Sequence, residues 1–320
     1  MNKHVIRRIA SIILVIAVAL LASGCRPLVE EADRISVYAT FYPIYALVDA
    51  VMREVPDAEL HCLVQPQDGC LRNYALSDWD IALLNAGADA VLMGGRGLEG
   101  FESTLFGWGE DGPAMSALLY NLELYNQGQV HADPEAESHL KGANPHLYMS
   151  IDGAKQIVES ASASMVSLDP QYSKLYAANT EAALARLDAL LDENRALLAD
   201  CAGARVALLN EALIYVTRDY GLEVAAWIDR ESGAVPGDNE LAAWLEQLSG
   251  AEVGVVLIER QAPQALIEAL EAAGYAVARL DVMSTHREGE GFDQYIEIQR
   301  GNAQALRDAF DRARAMEETD

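Results

Sequence analysis

The sequence predicts an α/β protein of two lobes, and each lobe has a parallel sheet flanked by helices. One long rigid helix is expected to join the lobes, and a ligand cleft is expected between them. Short apolar segments alternate with helical segments in both halves of the 320-residue chain, which is typical of βαβ units. One segment, 171–200, contains neither glycine nor proline. A chain of this length is also long enough for two domains of about 150 residues each.

Residues 1–24 are predicted to be a signal peptide. Lys3, Arg7 and Arg8 precede an apolar run over 9–22, which is too short to span a bilayer comfortably. The run ends in Ala-Ser-Gly before Cys25, which resembles a bacterial lipobox, so Cys25 is the predicted lipidation site and 25–34 the lipid-anchored tether. A plain signal peptide and a short anchor helix are the alternatives.

The N-terminal lobe is predicted over 35–168. Its strands are expected where apolar and β-branched residues cluster: Ile35–Thr40, Glu59–Val64, Asp89–Met93 and Leu118–Leu124. Its helices are expected where the spacing is helical: Ile44–Glu54, Ser77–Ala86 and Ile151–Ser167.

The linking helix is predicted over 169–201, because apolar residues recur at helical spacing from Tyr172 to Leu197 without a breaker. Two helices with a kink are the alternative. The C-terminal lobe, 202–318, repeats the alternation of the first lobe. Its strands are expected at Arg205–Leu209, Glu223–Ile228, Gly254–Glu259 and Ala276–Asp281, and its helices at Ala212–Tyr220, Asn239–Leu248, Pro263–Ala273 and Phe292–Arg314.

The composition excludes several classes of function. A net charge of −26 repels phosphate, so nucleic acid is not an expected partner. Four cysteines without a C-x-x-C pair exclude a zinc ribbon and a disulfide-dense scaffold. No G-x-S-x-G motif occurs, and nothing favours a catalytic carboxylate pair among Glu211, Glu259 and Asp281, so we expect no enzyme activity.

Six short segments, in order, resemble the zinc/manganese solute-binding lipoproteins of bacterial ABC importers. Those segments are Phe41-Tyr42-Pro43, Leu63 to Asp80, Gly95 to Glu99, Asn144 to Tyr148, Asn210 to Tyr215 with Asp219 to Leu222, and Leu280-Asp281. They resemble the family's FYP, PHDYEPTPRD, NGLGLE, DPHVW, HxAFxY…RYGL and last ligand segments. In that family one long helix joins two α/β lobes, and a metal lies between them.

The resemblance implies a metal site with altered ligands. Matched segment by segment, the family's four ligand positions fall on Arg72, His146, Asn210 and Asp281. Arginine has no acceptor lone pair and cannot coordinate a cation, while Asn210 offers only a neutral carbonyl oxygen. Glu211 follows Asn210 and could replace a missing ligand, although an acid at a helix start also has a structural reason.

Cys62 and Cys70 lie close enough in sequence to form a disulfide outside the cytoplasm. Cys70 could instead act as a thiolate ligand, which would suit zinc. The third alternative is two unpaired thiols, with Cys62 buried.

The resemblance therefore implies an extracytoplasmic solute-binding component of an ABC importer, lipid-anchored to the bacterial cell membrane and monomeric. It would capture a divalent metal ion, zinc or manganese, as cargo and deliver it to the permease subunits. The expected metal ligands are His146, Asp281, Asn210 and Glu211. The alternative is the same fold with a changed or lost site, in which Arg72 favours an anionic solute or no metal.

Overall fold

The computed structural model describes residues 34–64, 73–109, 112–125, 143–228, 236–286 and 288–318. The chain divides into two compact units, 1–34 and 35–320. All the elements below belong to the second unit. The predicted signal peptide, and the tether with Cys25 up to residue 33, lie outside the described residues.

Two four-stranded parallel sheets confirm the predicted fold class. The first has the order β2-β1-β3-β4 and the second the order β6-β5-β7-β8, and every strand pair is parallel. The strands are β1 (Ile35–Ala39), β2 (Ala58–Cys62), β3 (Ala90–Met93), β4 (Ala114–Ala117), β5 (Arg205–Leu208), β6 (Glu223–Trp227), β7 (Val255–Glu259) and β8 (Ala276–Leu280). The two sheets share one order, as expected for two lobes with repeated topology.

Helices connect and cover these strands. They are α1 (Tyr42–Met52), α2 (Asp78–Gly87), α3 (Glu102–Phe106), α4 (Ile151–Leu168), α5 (Ser173–Leu197), α6 (Ile214–Tyr220), α7 (Asp238–Gly250), α8 (Gln264–Ala272) and α9 (Phe292–Glu317). Short 3₁₀ turns precede α4, α5 and α6. Except for the short α3, which the sequence analysis did not predict, these helices lie where helical spacing placed them.

The fourth strand is the element that the sequence analysis placed wrongly. It was expected at Leu118–Leu124, but β4 is Ala114–Ala117, and the chain turns immediately after it. Leu118 and Leu119 are buried where the chain leaves the sheet, so their apolar character reflects core packing of a turn. The true strand is Ala-Met-Ser-Ala and packs beside α4, where Ser116 Oγ lies 2.6 Å from Ser164 Oγ.

The long helix is continuous, as predicted. Helix α5 runs unbroken for 25 residues, and 3₁₀ turns at Pro170–Tyr172 and Ala199–Cys201 extend it at both ends. It packs against α4, α1 and α9. A helix of this length spans about 37 Å.

One hydrophobic core joins both sheets to the long helix. The predicted lobe boundaries, 35–168, 169–201 and 202–318, stay predictions, because this core is continuous across them. No helix in the described part of the chain is long and apolar enough to cross a membrane.

Candidate functional site

Three of the predicted site residues lie at the carboxyl ends of strands. Asn210 and Glu211 follow β5, and Asp281 follows β8 directly. His146 precedes the 3₁₀ turn that leads into α4. In parallel sheets the carboxyl ends form one edge, where ligands bind. Two strand-end loops of the second sheet thus supply Asn210, Glu211 and Asp281, and the segment before α4 supplies His146.

His146 and Glu211 form the first donor pair. Both side chains are largely buried, with 11% and 14% exposed, and His146 Nδ1 lies 3.8 Å from Glu211 Oε1. The Asn144 side chain fixes the histidine: its Oδ1 accepts a hydrogen bond from the His146 backbone N–H at 3.1 Å and lies 2.8 Å from His146 Nδ1. Because an amide oxygen only accepts, Nδ1 carries the ring hydrogen and Nε2 is the nitrogen left with a lone pair. An imidazole nitrogen and a carboxylate are ligand types that Zn²⁺ and Mn²⁺ accept.

Asn144 also ties the histidine segment to the other lobe. Its Nδ2 donates to the Glu211 carbonyl oxygen at 2.9 Å, and its own carbonyl oxygen accepts from the Tyr215 hydroxyl at 2.5 Å. The two loops that carry His146 and Glu211 are thus connected by direct hydrogen bonds. This network positions the pair before any ligand binds.

Asn210 has a structural role in the described geometry. Its Oδ1 accepts a hydrogen bond from the Ala212 backbone N–H at 2.9 Å and caps the 3₁₀ turn over Glu211–Leu213. An asparagine in this cap position satisfies an otherwise unpaired amide at the start of the turn. Asn210 Oδ1, the oxygen that was expected to face a cation, therefore already accepts a hydrogen bond from the Ala212 backbone N–H.

Asp281 is the centre of the second donor group. It is 4% exposed, and Asn302 holds its backbone from both sides: Oδ1 accepts from the Asp281 N–H at 2.7 Å and Nδ2 donates to its carbonyl at 3.0 Å. The Met283 N–H donates to Oδ1 at 2.8 Å. The other oxygen, Oδ2, lies 2.9 Å from His286 Nε2 and 2.8 Å from Arg260 Nη2.

The charges around Asp281 explain the direction of two pKa shifts. Burial alone would raise the pKa of Asp281, but hydrogen bonds from His286 and Met283 together with the charges of His286 and Arg260 lower it. The pKa of His286 is raised, chiefly because its ring hydrogen-bonds Asp281, although burial opposes the shift. Asp281 is therefore a carboxylate that two cationic side chains already face.

His286 also contacts a second carboxylate and an aromatic ring. Its Nδ1 lies 2.7 Å from Glu290 Oε2, and its ring centroid lies 4.9 Å from that of Tyr42. Tyr42 is 2% exposed, and within the described residues its hydroxyl has no hydrogen-bond partner. Burial, together with the nearby charges of Glu290 and Asp281, raises the pKa of Tyr42.

The residues after β1 lie between the two donor groups. On one side, the rings of His146 and Tyr148 are 5.9 Å apart, and Tyr148 meets Phe41 edge-on at 5.5 Å. On the other side, Tyr42 packs against His286. Among the described residues, no group of three or more His, Cys, Asp or Glu side chains is arranged to hold a metal ion. The described part of the site thus offers two separate groups of donors.

Several predicted residues lie elsewhere or outside the described part. Arg72, Cys70 and Cys25 are outside it. Cys62 is buried, and its Sγ lies 3.5 Å from the Val64 carbonyl oxygen. Because Cys70 is outside the described residues, the pairing of the two cysteines stays a prediction.

Two other strand-end acids are buried. Glu259, the last residue of β7, is fully buried. Glu99 accepts hydrogen bonds from Thr40 Oγ1 at 2.6 Å and from the Gly94 and Gly95 N–H groups at 2.7 and 2.8 Å. Because Gly95 has φ +76°, this turn needs glycine, and Glu99 holds it in place. The glycines of this turn thus have a backbone role.

Sequence reasoning missed His286 and Arg260 as members of the site. Both follow strands of the second lobe, β8 and β7, at the same sheet edge as Asp281. His286 comes five residues after Asp281 in a polar stretch, which gives no periodic signal. The sequence feature that could have identified His286 is a histidine in the same loop as Asp281, the aspartate that directly follows strand β8.

Comparison with known proteins identifies the family. The family model described as "Zinc-uptake complex component A periplasmic" matches residues 37–309. Among curated proteins, the chain is 27% identical over 173 residues to the high-affinity zinc uptake system protein ZnuA of Paracoccus denitrificans, covering 53% of this chain and 52% of that protein. A protein of Treponema pallidum is 30% identical over 94 residues, which is 29% of each chain. The chain thus spans about half or less of these curated relatives.

Solved structures share the fold over most of the chain. The SBP FpvC of Pseudomonas aeruginosa, in complex with Mn²⁺, superposes with a TM-score of 0.73 at 24% identity, covering 86% of this chain and 98% of that one. The Zn(II)-bound ZnuA-like domain of Streptococcus pneumoniae AdcA gives a TM-score of 0.71 at 20% identity, with 86% and 98% covered. At these identities the likeness shows the fold.

Proposed function

The chain belongs to the zinc-uptake complex component A family, whose members are metal-binding solute-binding proteins of ABC importers. We propose that it captures a divalent metal ion, zinc or manganese, and delivers it to a permease. The buried His146–Glu211 pair is the observation that supports capture best. Together with Asp281, it offers one imidazole and two carboxylates at the carboxyl ends of the sheets. The cation would be cargo, and no catalysis is proposed.

The proposed ligand set differs from the one that the family segments imply. It keeps His146 and Asp281, adds Glu211, and leaves Asn210 as the cap of its turn. It does not use Arg72. The chain is proposed to act outside the cytoplasm as a monomer, held to the membrane by the lipid on Cys25.

Titration of the purified protein with Zn²⁺ and with Mn²⁺ in a calorimeter tests this function. We expect His146→Ala and Glu211→Gln each to weaken binding by about 10-fold or more, since each removes one of few donors. His61→Ala is the matched control, because His61 is the partly exposed histidine of β2 and lies outside the proposed set. Unchanged affinity in both His146→Ala and Glu211→Gln would contradict the proposed ligands.

A second candidate is the binding of an anionic solute, or a site without metal. The Arg260–Asp281 ion pair at 2.8 Å favours it, because this arginine already neutralises the carboxylate expected to face a cation. The calorimetric titration separates the two candidates. Heat on addition of Zn²⁺ or Mn²⁺ supports the first, whereas no heat with either metal supports the second.

A further inference from the structure

We propose that His286 is a metal ligand of this protein and that the cation binds between His286 Nε2 and Asp281 Oδ2. This inference rests on the proposed function, and it assigns to His286 the second imidazole that Arg72 and Asn210 fail to provide. These two atoms are 2.9 Å apart and share a hydrogen. The metal takes the place of that hydrogen, which leaves as a proton to solvent.

The orientation of His286 is that of a metal-binding histidine. A ligating imidazole usually donates its second ring N–H to a carboxylate, which fixes the tautomer and the ring plane. Here Glu290 Oε2 lies 2.7 Å from Nδ1, so Nε2 is the nitrogen that faces Asp281. Tyr42 packs against the ring at 4.9 Å and restricts it further. The imidazole is therefore oriented before a cation arrives.

The spacing of the donor atoms admits a cation after a small movement. Zn–N and Zn–O bonds of about 2.1 Å at a tetrahedral angle place two donor atoms about 3.4 Å apart, so the pair must open by about 0.5 Å. The Met283 N–H holds Oδ1 of Asp281 at 2.8 Å and leaves Oδ2 as the oxygen that turns to the ligand. Arg260 also faces Oδ2, but its side chain is 52% exposed and can move into solvent.

A buried hydroxyl beside this pair also indicates a ligand. Tyr42 is 2% exposed, and its hydroxyl lacks a hydrogen-bond partner among the described residues. A buried polar group without a partner is costly and is normally satisfied by water or by a bound species. A cation between Asp281 and His286 brings its own water ligands, which can accept from or donate to this hydroxyl.

The loop that carries His286 is anchored on the first lobe. The Gly289 N–H donates to the Tyr45 hydroxyl at 3.0 Å, and Glu288 Oε2 accepts from the Cys62 N–H at 3.0 Å. The Phe292 N–H donates to Asp49 Oδ2 at 2.9 Å. The loop that carries His286 belongs to the second lobe and is hydrogen-bonded to the first. This support from both lobes is what a metal-ligating residue between the lobes requires.

Zn²⁺ calorimetry on three variants tests the assignment. We expect His286→Gln to weaken Zn²⁺ binding by about 100-fold or more, because loss of an outer-shell partner alone costs about 10–100-fold. Glu290→Gln, which keeps the ring but weakens its orientation, should cost about 10-fold. His61→Gln is the histidine control: it removes the 3.3 Å contact of His61 Nδ1 with Glu288 of the same loop but no proposed ligand, so the Zn²⁺ affinity of this variant should stay within a few-fold of the unmodified protein.

Electron paramagnetic resonance of the Cu²⁺-loaded protein counts the coordinating nitrogens directly. We expect one fewer imidazole coupling in His286→Gln than in the unmodified protein and in His61→Gln. Equal nitrogen counts and an affinity within a few-fold of the unmodified protein would overturn the assignment while leaving the proposed function intact. Failure of the unmodified protein to bind Zn²⁺ would overturn both.

Discussion

Two buried aspartates of this protein show how the neighbours of a carboxylate decide its charge. Asp281 faces Arg260 and His286, and its pKa is lowered despite burial. Asp219 is 3% exposed and accepts hydrogen bonds from Ser150 Oγ and the Ile151 N–H at the start of α4. Burial outweighs these bonds and raises the pKa of Asp219 to about 6.

The raised pKa of Asp219 predicts a stability that falls with rising pH. The folded protein holds this proton more tightly than the unfolded chain does, so the contribution is fully present below about pH 4 and is lost as the pH rises through about 6. Over that window the free energy of unfolding should fall by about 2–3 kcal/mol more than in Asp219→Asn. Urea unfolding of both proteins at pH 4 and pH 7 measures the difference. Parallel pH profiles would contradict it.

The start of α4 shows how an element positions a site residue. Ser150 caps the helix by accepting from the Gly153 N–H, and the preceding 3₁₀ turn carries His146 at its start. A Cβ at Gly153 would lie 2.2 Å from the Leu147 carbonyl oxygen, so the turn and the helix approach as closely as they do because residue 153 is glycine. The position of His146 thus depends on this contact.

Gly153→Ala should therefore damage both the fold and the site. We expect about 1–3 kcal/mol of destabilisation from the backbone clash and a roughly 10-fold loss of Zn²⁺ affinity as the His146 turn moves. The matched control is Gly301→Ala, since a Cβ at this exposed position in α9 meets nothing within 4 Å. That change should stabilise the protein by about 0.5–1 kcal/mol through helix propensity and leave metal affinity unchanged. Thermal unfolding with Zn²⁺ titration checks both, and an unaffected Gly153→Ala variant would refute the positioning argument.

Strong periodicity explains which elements were predictable from sequence. Helix α5 has a helical apolar stripe without a breaker, and the buried strand β7 is almost wholly apolar, so both were expected close to their observed bounds. Strand β4, with the sequence Ala-Met-Ser-Ala, has little apolar signal, and the more apolar Leu118 and Leu119 beside it misled the assignment. A local hydrophobic pattern indicates which residues are buried, so a buried turn can be mistaken for a strand.

The limited information in a local sequence pattern also explains which residues of the candidate site could be predicted. His146, Glu211 and Asp281 were proposed from sequence because they lie in segments that resemble a known family. Arg260 and His286 reach Asp281 through the folding of two separate loops, which no local pattern encodes. Their contacts with Asp281 are visible only in the three-dimensional arrangement.

At the scale of the whole molecule, the two sheets, the long helix and one continuous core form a single compact unit over 35–320. Many contacts at the site join residues of both lobes, including the Asn144–Glu211 and Tyr42–His286 contacts. The site thus belongs to the assembled unit rather than to either lobe.

The predicted lipidation of Cys25 can be tested by where the protein is found. Cys25→Ser should move it from the membrane fraction to the soluble fraction, because two acyl chains provide the stable anchor. Fractionation followed by immunoblotting of the two proteins measures the shift. If the serine variant stays with the membrane, the apolar segment 9–22 is itself the anchor.

Metal content of the purified protein tests the central claim most directly. The protein would be prepared without chelator, dialysed against Zn²⁺ or Mn²⁺ and then against metal-free buffer, and analysed for both elements alongside a double variant, His146→Ala with Asp281→Asn. Capture of a divalent cation predicts about one metal ion retained per chain of the unmodified protein and none in the variant. No retained metal in the unmodified protein, or equal retention in the double variant, would contradict the account.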